Sequence, residues 1–336
     1  MERSIQIGVA AVKNKRLVQC SCGMLAGLLL FGGCALPGKK LENPYSFQER
    51  VAGITSPESK EQWASAMAKP LCVVMDESVY SDDSITSEAA AAFDVSDREV
   101  LFSKNAFRRM NPASTTKIMT ALLALKYGNL SDMVTVTEDS IITEAGATLC
   151  GIKPGDTVTL EQLLYGLMLP SGNDAGNAIA VHISGSVEAF AQLMNKEARS
   201  LGASNTHFVN PHGLTDEQHY TTAYDLYLIF NECIKYDKFV EIIGTKSYSA
   251  DYMTASGEPG TFTWNNGNRY LTGETEAPEG VTVVGGKTGT TNAAGYCLIL
   301  YSHDGSGKDY ISVVLKSDSR NGLYTNMTNL LTKIVD

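Results

Sequence analysis

Asn111-Pro112-Ala113-Ser114-Thr115-Thr116-Lys117-Ile118-Met119-Thr120-Ala121-Leu122-Leu123 sets a serine and a lysine three residues apart at the head of an apolar helical run. On a helix, residues i and i+3 share one face, so Lys117 Nζ comes within hydrogen-bond reach of Ser114 Oγ with no help from a distant loop. A lysine that takes a proton must first be neutral, and burial together with a second nearby cation depresses its pKa enough for that. The helix N-terminus adds positive potential around the serine. The helix is expected to run to Tyr127, with Gly128 as its stop. Alone, Ser-x-x-Lys more often marks a cap followed by a solvated lysine, so its meaning depends on the rest of the chain.

Upstream of this stretch, Ala89–Val95 and Val100–Ser103, separated by Ser96-Asp97-Arg98-Glu99, read as a β-hairpin. The apolar run Leu71–Met75 reads as a peripheral strand before an acidic, serine-rich surface loop. Downstream, Thr159-Leu160-Glu161-Gln162 is a capping box that starts a helix through Met168. Pro170 stops that helix and presents Ser171-Gly172-Asn173 on a turn before a second helix, Asp174 to about Ile183. Ser186 caps a third, ending at Gly202, and Thr222 caps a fourth, reaching about Tyr236. Residues 244–280, rich in Gly, Ser, Thr and Asn, read as irregular strands and loops, and Trp264 as an exposed aromatic serving core or loop packing, not a ligand platform. Strands return at Val281–Val284, Gly295–Ser302 and Tyr310–Lys316, and a helix from about Leu323 to Ile334 follows them. Strands at both ends around a helical middle predict an α+β fold: an antiparallel sheet completed by the two ends of the chain, with a mainly helical insertion.

The chain has 336 residues, 43% hydrophobic and 19% charged, which is ordinary for a globular domain. Its net charge of −10 and the lack of a basic run in its body argue against a nucleic-acid partner. Residues 1–33 differ: Arg3, Lys13, Lys15 and Arg16 stand against the single acid Glu2, and an uncharged run from Leu17 to Gly38 follows. This reads as an export leader. Gly32-Gly33-Cys34 resembles a bacterial lipoprotein cleavage box with Cys34 as the lipid-bearing residue, although Phe31 departs from the usual leucine. An uncleaved anchor and cleavage after Ala35 stay open. Residues 34–69, polar and containing three prolines, read as a tether, and 70–336 as the catalytic domain. The expected location is the outer face of the cytoplasmic membrane, or secretion. Of seven cysteines, Cys72, Cys150, Cys233 and Cys297 lie beyond the leader and tether with no C-x-x-C among them, and are expected as free buried thiols.

Three short motifs therefore stand in order: Ser114-x-x-Lys117, Ser171-Gly172-Asn173 and Lys287-Thr288-Gly289, at a helix start, a turn between helices and a strand. Each is weak alone. Together they form the set found in β-lactamases and penicillin-binding proteins. With the runs Leu163–Ala175, Thr206–Leu214 and Tyr220–Leu226, the chain resembles the D-alanyl-D-alanine carboxypeptidases, the low-molecular-mass penicillin-binding proteins, over roughly residues 88–336. Many of that family carry a second β-rich domain and an amphipathic C-terminal helix, and neither is expected here.

The resemblance implies acyl transfer without a cofactor or metal. Ser114 would attack the carbonyl between the two terminal D-alanines of a peptidoglycan stem peptide, and β-lactams would inhibit by acylating the same serine. Lys117 would be the base, Ser171 the proton relay to the leaving amine, and Asn173 a holder of Lys117 and the substrate amide. Lys287 would keep Lys117 neutral and, with Thr288 of the Lys287-Thr288-Gly289 strand, bind the substrate carboxylate. The N–H groups of Ser114 and Thr290 would form the oxyanion hole. A β-lactamase and a permanently acylated sensor share this acylation chemistry and are the rival readings. Val281–Thr288 only approximates a phosphate-binding loop, since its first glycine would have to replace Val281 and a strand follows. With no G-x-S-x-G and no H-E-x-x-H, His207, His212 and His219 read as structural.

Overall fold

Four consecutive alanines open the first strand and divide between two hydrophobic clusters. Ala89 and Ala91 join Phe93 in one, while Ala90 and Ala92 pack with Phe102, Leu298, Leu300 and Val314 in the other. A strand that is apolar on both faces must lie between two covering layers, and it does.

In this computed structural model, which describes residues 70–75 and 80–335, the chain first forms β1 (Ala89–Asp94), β2 (Glu99–Lys104), a 3₁₀ turn (Ala113–Thr116), α1 (Lys117–Tyr127), β3 (Met133–Thr135) and β4 (Thr157–Thr159). Then come α2 (Leu160–Met168), α3 (Asn173–Ser184), α4 (Val187–Ser200), α5 (Ala223–Cys233) and α6 (Asp237–Gly244). The rest is β5 (Ser247–Met253), β6 (Pro259–Asn265), α7 (Arg269–Thr272), β7 (Val281–Thr291), β8 (Gly295–Asp304), β9 (Asp309–Ser317) and α8 (Arg320–Thr332). The leader and the whole tether, Cys34 included, lie outside the described residues.

The main sheet has the order β2-β1-β9-β8-β7 and is antiparallel throughout. The two ends of the domain meet where β1 pairs with β9, Ala89 opposite Leu315 and Asp94 opposite Tyr310. Leu323, Tyr324, Met327, Leu330 and Leu331 of α8 cover one face, and α1 and α5 contribute Ile118, Leu122, Tyr227 and Phe230 to the cluster on the other. The α+β architecture read from the sequence is the one observed. β7 is left as an edge strand, with no strand partner on its outer side among the described residues. No helix among the described residues is long and apolar enough to cross a membrane.

Local signals explain most helix starts. Thr159 and Gln162 form the reciprocal capping box, and Ser186 and Thr222 accept from the N–H groups of Ala189 and Asp225. The four cysteines beyond the leader and tether are buried and free.

Several expectations need correction. Leu71–Met75 forms no strand: its segment is pinned by the hydroxyls of two tyrosines, Tyr227 accepting from Cys72 N and Tyr224 donating to Cys72 O, so no ladder is needed. The helix capped by Thr222 ends at Cys233, and a separate amphipathic helix, α6, follows. Residues 247–265 are a regular hairpin within a second sheet of order β3-β4-β5-β6. Trp264 is buried in it, its indole N–H donating to Cys150 O at 2.8 Å. Gly128 does end α1, but in extended backbone; it is glycine because a Cβ would stand 2.8 Å from the backbone oxygen of Ala124.

Candidate active site

Ser114 sits in the 3₁₀ turn that precedes α1, not in the α-helix itself. The residue before it, Ala113, has φ +48°, a left-handed conformation that costs a non-glycine residue energy and is kept only where neighbours over-determine it. The neighbours are visible. Gly213, at φ +92°, packs so closely that a Cβ there would lie 1.8 Å from Ala113 O, and a Cβ on Gly289 would lie 2.9 Å from Ser114 N. Glycines on a loop and on β7 therefore clamp the serine turn from two sides.

Lys117 opens α1 with its side chain fully buried. Its Nζ lies 2.9 Å from Ser114 Oγ, 2.6 Å from Asn173 Oδ1 and 2.8 Å from His212 O. Burial first, and the nearby charge of Lys287 second, hold its pKa well below the usual lysine range, while Asp174 and Cys150 pull the other way. A neutral amine has two N–H groups and one lone pair. The amide oxygen of Asn173 and the carbonyl of His212 accept only, so they take the two N–H groups and leave the lone pair for the Ser114 hydroxyl.

Pro170 and the end of α2 turn the chain sharply, and Ser171 takes up φ +68° at the turn. The turn is tied down by Gly172 N donating to Gly166 O and Asn173 N to Thr148 O. Gly172 is the small residue of this motif for a steric reason: a Cβ would fall 2.7 Å from Cys150 Cβ and 2.8 Å from Asp174 Oδ1. From β7, Lys287 Nζ reaches Ser171 Oγ and Thr288 O, each at 3.0 Å, and its burial pushes its pKa down to about 7. Lys287 to Thr290 run along the edge strand opposite Ile299 to Tyr296 of β8. A cleft of about 220 Å³ opens between these parts, lined by Ser114, Ser171, Thr288, Gly289, Thr290 and Arg320, with further walls from Thr148 and Tyr324.

Direct hydrogen bonds join Ser114 and Asn173 to Lys117 in one group and Ser171 to Lys287 in another, and Ser114, Ser171, Thr288, Gly289 and Thr290 line the same cleft. Cys34 lies outside the described residues. Sequence reasoning missed three participants. The carbonyl of His212 holds Lys117, in a loop that Asn210 shapes by accepting from Gly213 N and donating to Leu214 O. Arg320, exposed at the start of α8, borders the cleft, and Asp174 braces the Ser171 turn. Only Asn210-Pro211-His212-Gly213 carried a sequence signal, a turn-rich loop among apolar segments. The structural reading of His219 fits its contacts: its Nδ1 accepts from Val209 N, so its Nε2 carries the proton and donates to Thr116 Oγ1 at 2.8 Å.

Fold and site together give the serine-hydrolase fold with a buried lysine facing a serine. Residues 76–319 match the D-alanyl-D-alanine carboxypeptidase family, and the chain belongs to that family. It is 38% identical over 237 residues to D-alanyl-D-alanine carboxypeptidase DacF of Bacillus subtilis, a match covering 68% of this chain and 58% of that one. It is also 38% identical over 231 residues to the D-alanyl-D-alanine carboxypeptidase of Streptomyces sp. strain K15, covering 65% and 77% of the two chains. The crystal structure of the Streptomyces K15 DD-transpeptidase superposes with a TM-score of 0.70 at 33% identity, over 75% of this chain and 98% of that one. The match thus spans less than two thirds of the Bacillus relative's length.

Proposed function

We propose that this chain is a serine-type D-Ala-D-Ala carboxypeptidase acting on peptidoglycan stem peptides and acylated by β-lactams. The observation that carries this reading is the Lys117 amine, buried and 2.9 Å from Ser114 Oγ, with its other two partners both acceptors. In that arrangement Ser114 Oγ gives its proton to Lys117 as it bonds to the penultimate D-alanine carbonyl carbon. The oxyanion is received by the N–H groups of Ser114 and Thr290. As the peptide bond breaks, the proton passes through Ser171 to the leaving amine, and free D-alanine departs. Water then cleaves the acyl-serine ester. The substrate's terminal carboxylate is met by Lys287, Thr288 and Arg320 at one end of the cleft. Removing the Ser171 hydroxyl, as in Ser171→Ala, is expected to slow turnover by about 10²–10⁴, the range for a proton-transfer group; steady-state rates on a D-Ala-D-Ala peptide check this.

The same site gives a pH signature. Lys287 binds a carboxylate best while protonated, and its pKa near 7 means that this charge is lost as pH rises through that value. KM for the peptide is therefore expected to climb above about pH 7, and Lys287→Gln to raise KM and flatten the climb. A wild-type KM constant from pH 6 to 9 would contradict that role. For stability the sign is opposite: the unfolded chain binds more protons between about 7 and the ordinary lysine value of 10.5, so the contribution of this residue grows with pH across that window.

No Asp or Glu is among the residues lining the cleft, which supports a carboxypeptidase over a β-lactamase, whose deacylation needs a positioned base. A penicillin adduct on the purified protein should accordingly persist for minutes or longer, with little turnover of nitrocefin. Adduct clearance within seconds with catalytic nitrocefin hydrolysis would point to the β-lactamase reading.

We further propose an N-terminal lipid anchor at Cys34, the first residue of the 34–69 tether, on the outer face of the cytoplasmic membrane. The uncharged run Leu17–Gly38 and Gly32-Gly33-Cys34 support it, and a diacylglycerol supplies the two chains that stable anchoring needs. Cys34→Ala is expected to abolish incorporation of radioactive palmitate and leave an uncleaved precursor; normal processing of that variant would remove the proposal.

A further inference from the structure

Asp174 follows the Ser-Gly-Asn motif in the first turn of α3, where an acidic residue is ordinarily a favourable partner for the helix N-terminus. Its contacts exceed that role. The side chain is 3% exposed, and among the described residues no lysine or arginine pairs with it. Its Oδ1 accepts from Cys150 N at 2.8 Å and Ala175 N at 3.0 Å, and its Oδ2 from Gly151 N at 2.9 Å. Two of these three donors belong to a segment more than twenty residues earlier in the chain. That same segment supplies Thr148, which borders the cleft and whose carbonyl accepts from Asn173 N at 2.9 Å. The carboxylate therefore fastens a wall of the cleft to the turn that carries Ser171 and Asn173.

We propose that Asp174 is a positioning residue for acyl transfer, its carboxylate clamping the 148–151 segment onto the Ser171–Asn173 turn and setting a negative charge one residue from Asn173, the partner of Lys117. The inference rests on the acyl-transfer reading of Ser114 and Lys117. Its electrostatic half follows from what Lys117 faces: Lys287 from β7, Asp174 from α3, Cys150 from the clamped segment and His212 from the 210–214 loop. When Ser114 attacks, Lys117 becomes an ammonium in a buried pocket that already holds a second lysine. Asp174 is the carboxylate that offsets that developing charge.

Asp174→Asn separates these effects from a merely structural one. The amide has a single accepting oxygen, its NH2 can only donate, and it carries no charge. The second-order rate constant for acylation by a fluorescent penicillin is expected to fall about 10–100-fold at its plateau. Loss of the negative charge also makes Lys117 harder to protonate, so the acid limb of the pH profile moves to lower pH. A structural defect alone would lower the plateau and leave the limb in place. Release of the clamp should also open Cys150, buried at 6% exposure, to a thiol reagent while Cys72, Cys233 and Cys297 stay protected. Should Asp174→Asn not fold, Asp174→Ser, whose hydroxyl accepts one backbone N–H, carries the same readouts. An unchanged plateau, or a lowered plateau with an unmoved limb, overturns the proposal. Failure of the wild type to acylate at Ser114 would instead overturn the proposed function.

Discussion

Ser114→Ala is expected to eliminate both penicillin labelling and D-alanine release, with mass spectrometry placing the wild-type adduct on a Ser114 peptide. Lys117→Ala should fall nearly as far, roughly 10⁴-fold, because the two groups act as a unit, and the double variant should be no worse than Ser114→Ala alone. The physical reason lies in the shared hydrogen bond: without the amine, the serine proton loses the one neutral side-chain acceptor placed beside it. Lys117→Ala also strands Asn173 Oδ1 and His212 O, each a buried acceptor whose loss of partner costs about 1–3 kcal/mol. Its melting temperature should therefore drop, whereas that of Ser114→Ala should hardly move. Labelling that survived in Ser114→Ala would transfer the chemistry to another residue.

Gly213→Ala is expected to be the most damaging single-methyl change. It meets two costs at once: a left-handed φ of +92° and a Cβ 1.8 Å from Ala113 O. Strain at the one and overpacking at the other amount to roughly 2–5 kcal/mol, a fall in Tm of about 5–15 °C for a domain of this size. The clash falls on the residue before Ser114, so acylation should drop about 10²-fold even in the folded fraction, since a displacement near 1 Å at the nucleophile has that effect. Gly146→Ala is the control. It shares a left-handed φ of +79° but has nothing within 4 Å of its Cβ, so it should lose only the strain, about 1 kcal/mol, and no activity. Equal effects of the two substitutions in differential scanning and acylation assays would show that backbone strain, not contact with Ala113, is what matters.

What the sequence disclosed was what short-range chemistry encodes. The capping box of Thr159 and Gln162, the hairpin around Asp97 and the three motifs are local patterns, and each lies where its pattern implied. The second sheet was hidden because β5 and β6 alternate polar residues with aromatics instead of aliphatics. They are held by stacked rings, Tyr252 on Phe262 at 4.0 Å and Tyr248 on Trp264 at 6.4 Å across the two strands, Phe262 on Trp264 at 5.2 Å along β6, and Tyr165 of α2 on Tyr248 at 3.7 Å, contacts visible only once the register is known. Helix α6 was hidden behind the helix before it, since Ile234-Lys235-Tyr236 interrupts them with no glycine or proline to mark the break. In the site, the legible parts were side chains and the illegible parts mostly backbone. The carbonyl of His212 and the N–H groups of Cys150 and Gly151 carry no residue identity, so no motif could announce them. The left-handed Ala113 is of the same kind: its conformation is imposed by Gly213 and Gly289, which are distant in sequence and adjacent in space.

The central claim is that the Ser114–Lys117 pair cleaves the bond before a terminal D-alanine. Stoichiometric release of free D-alanine from a synthetic stem peptide ending in D-Ala-D-Ala, measured against the same peptide ending in D-Ala-L-Ala, tests it most directly. The account predicts multiple turnovers on the first peptide, none on the second, and complete suppression by prior penicillin acylation. A protein that takes up one equivalent of penicillin on Ser114 yet releases no D-alanine over many hours would contradict it.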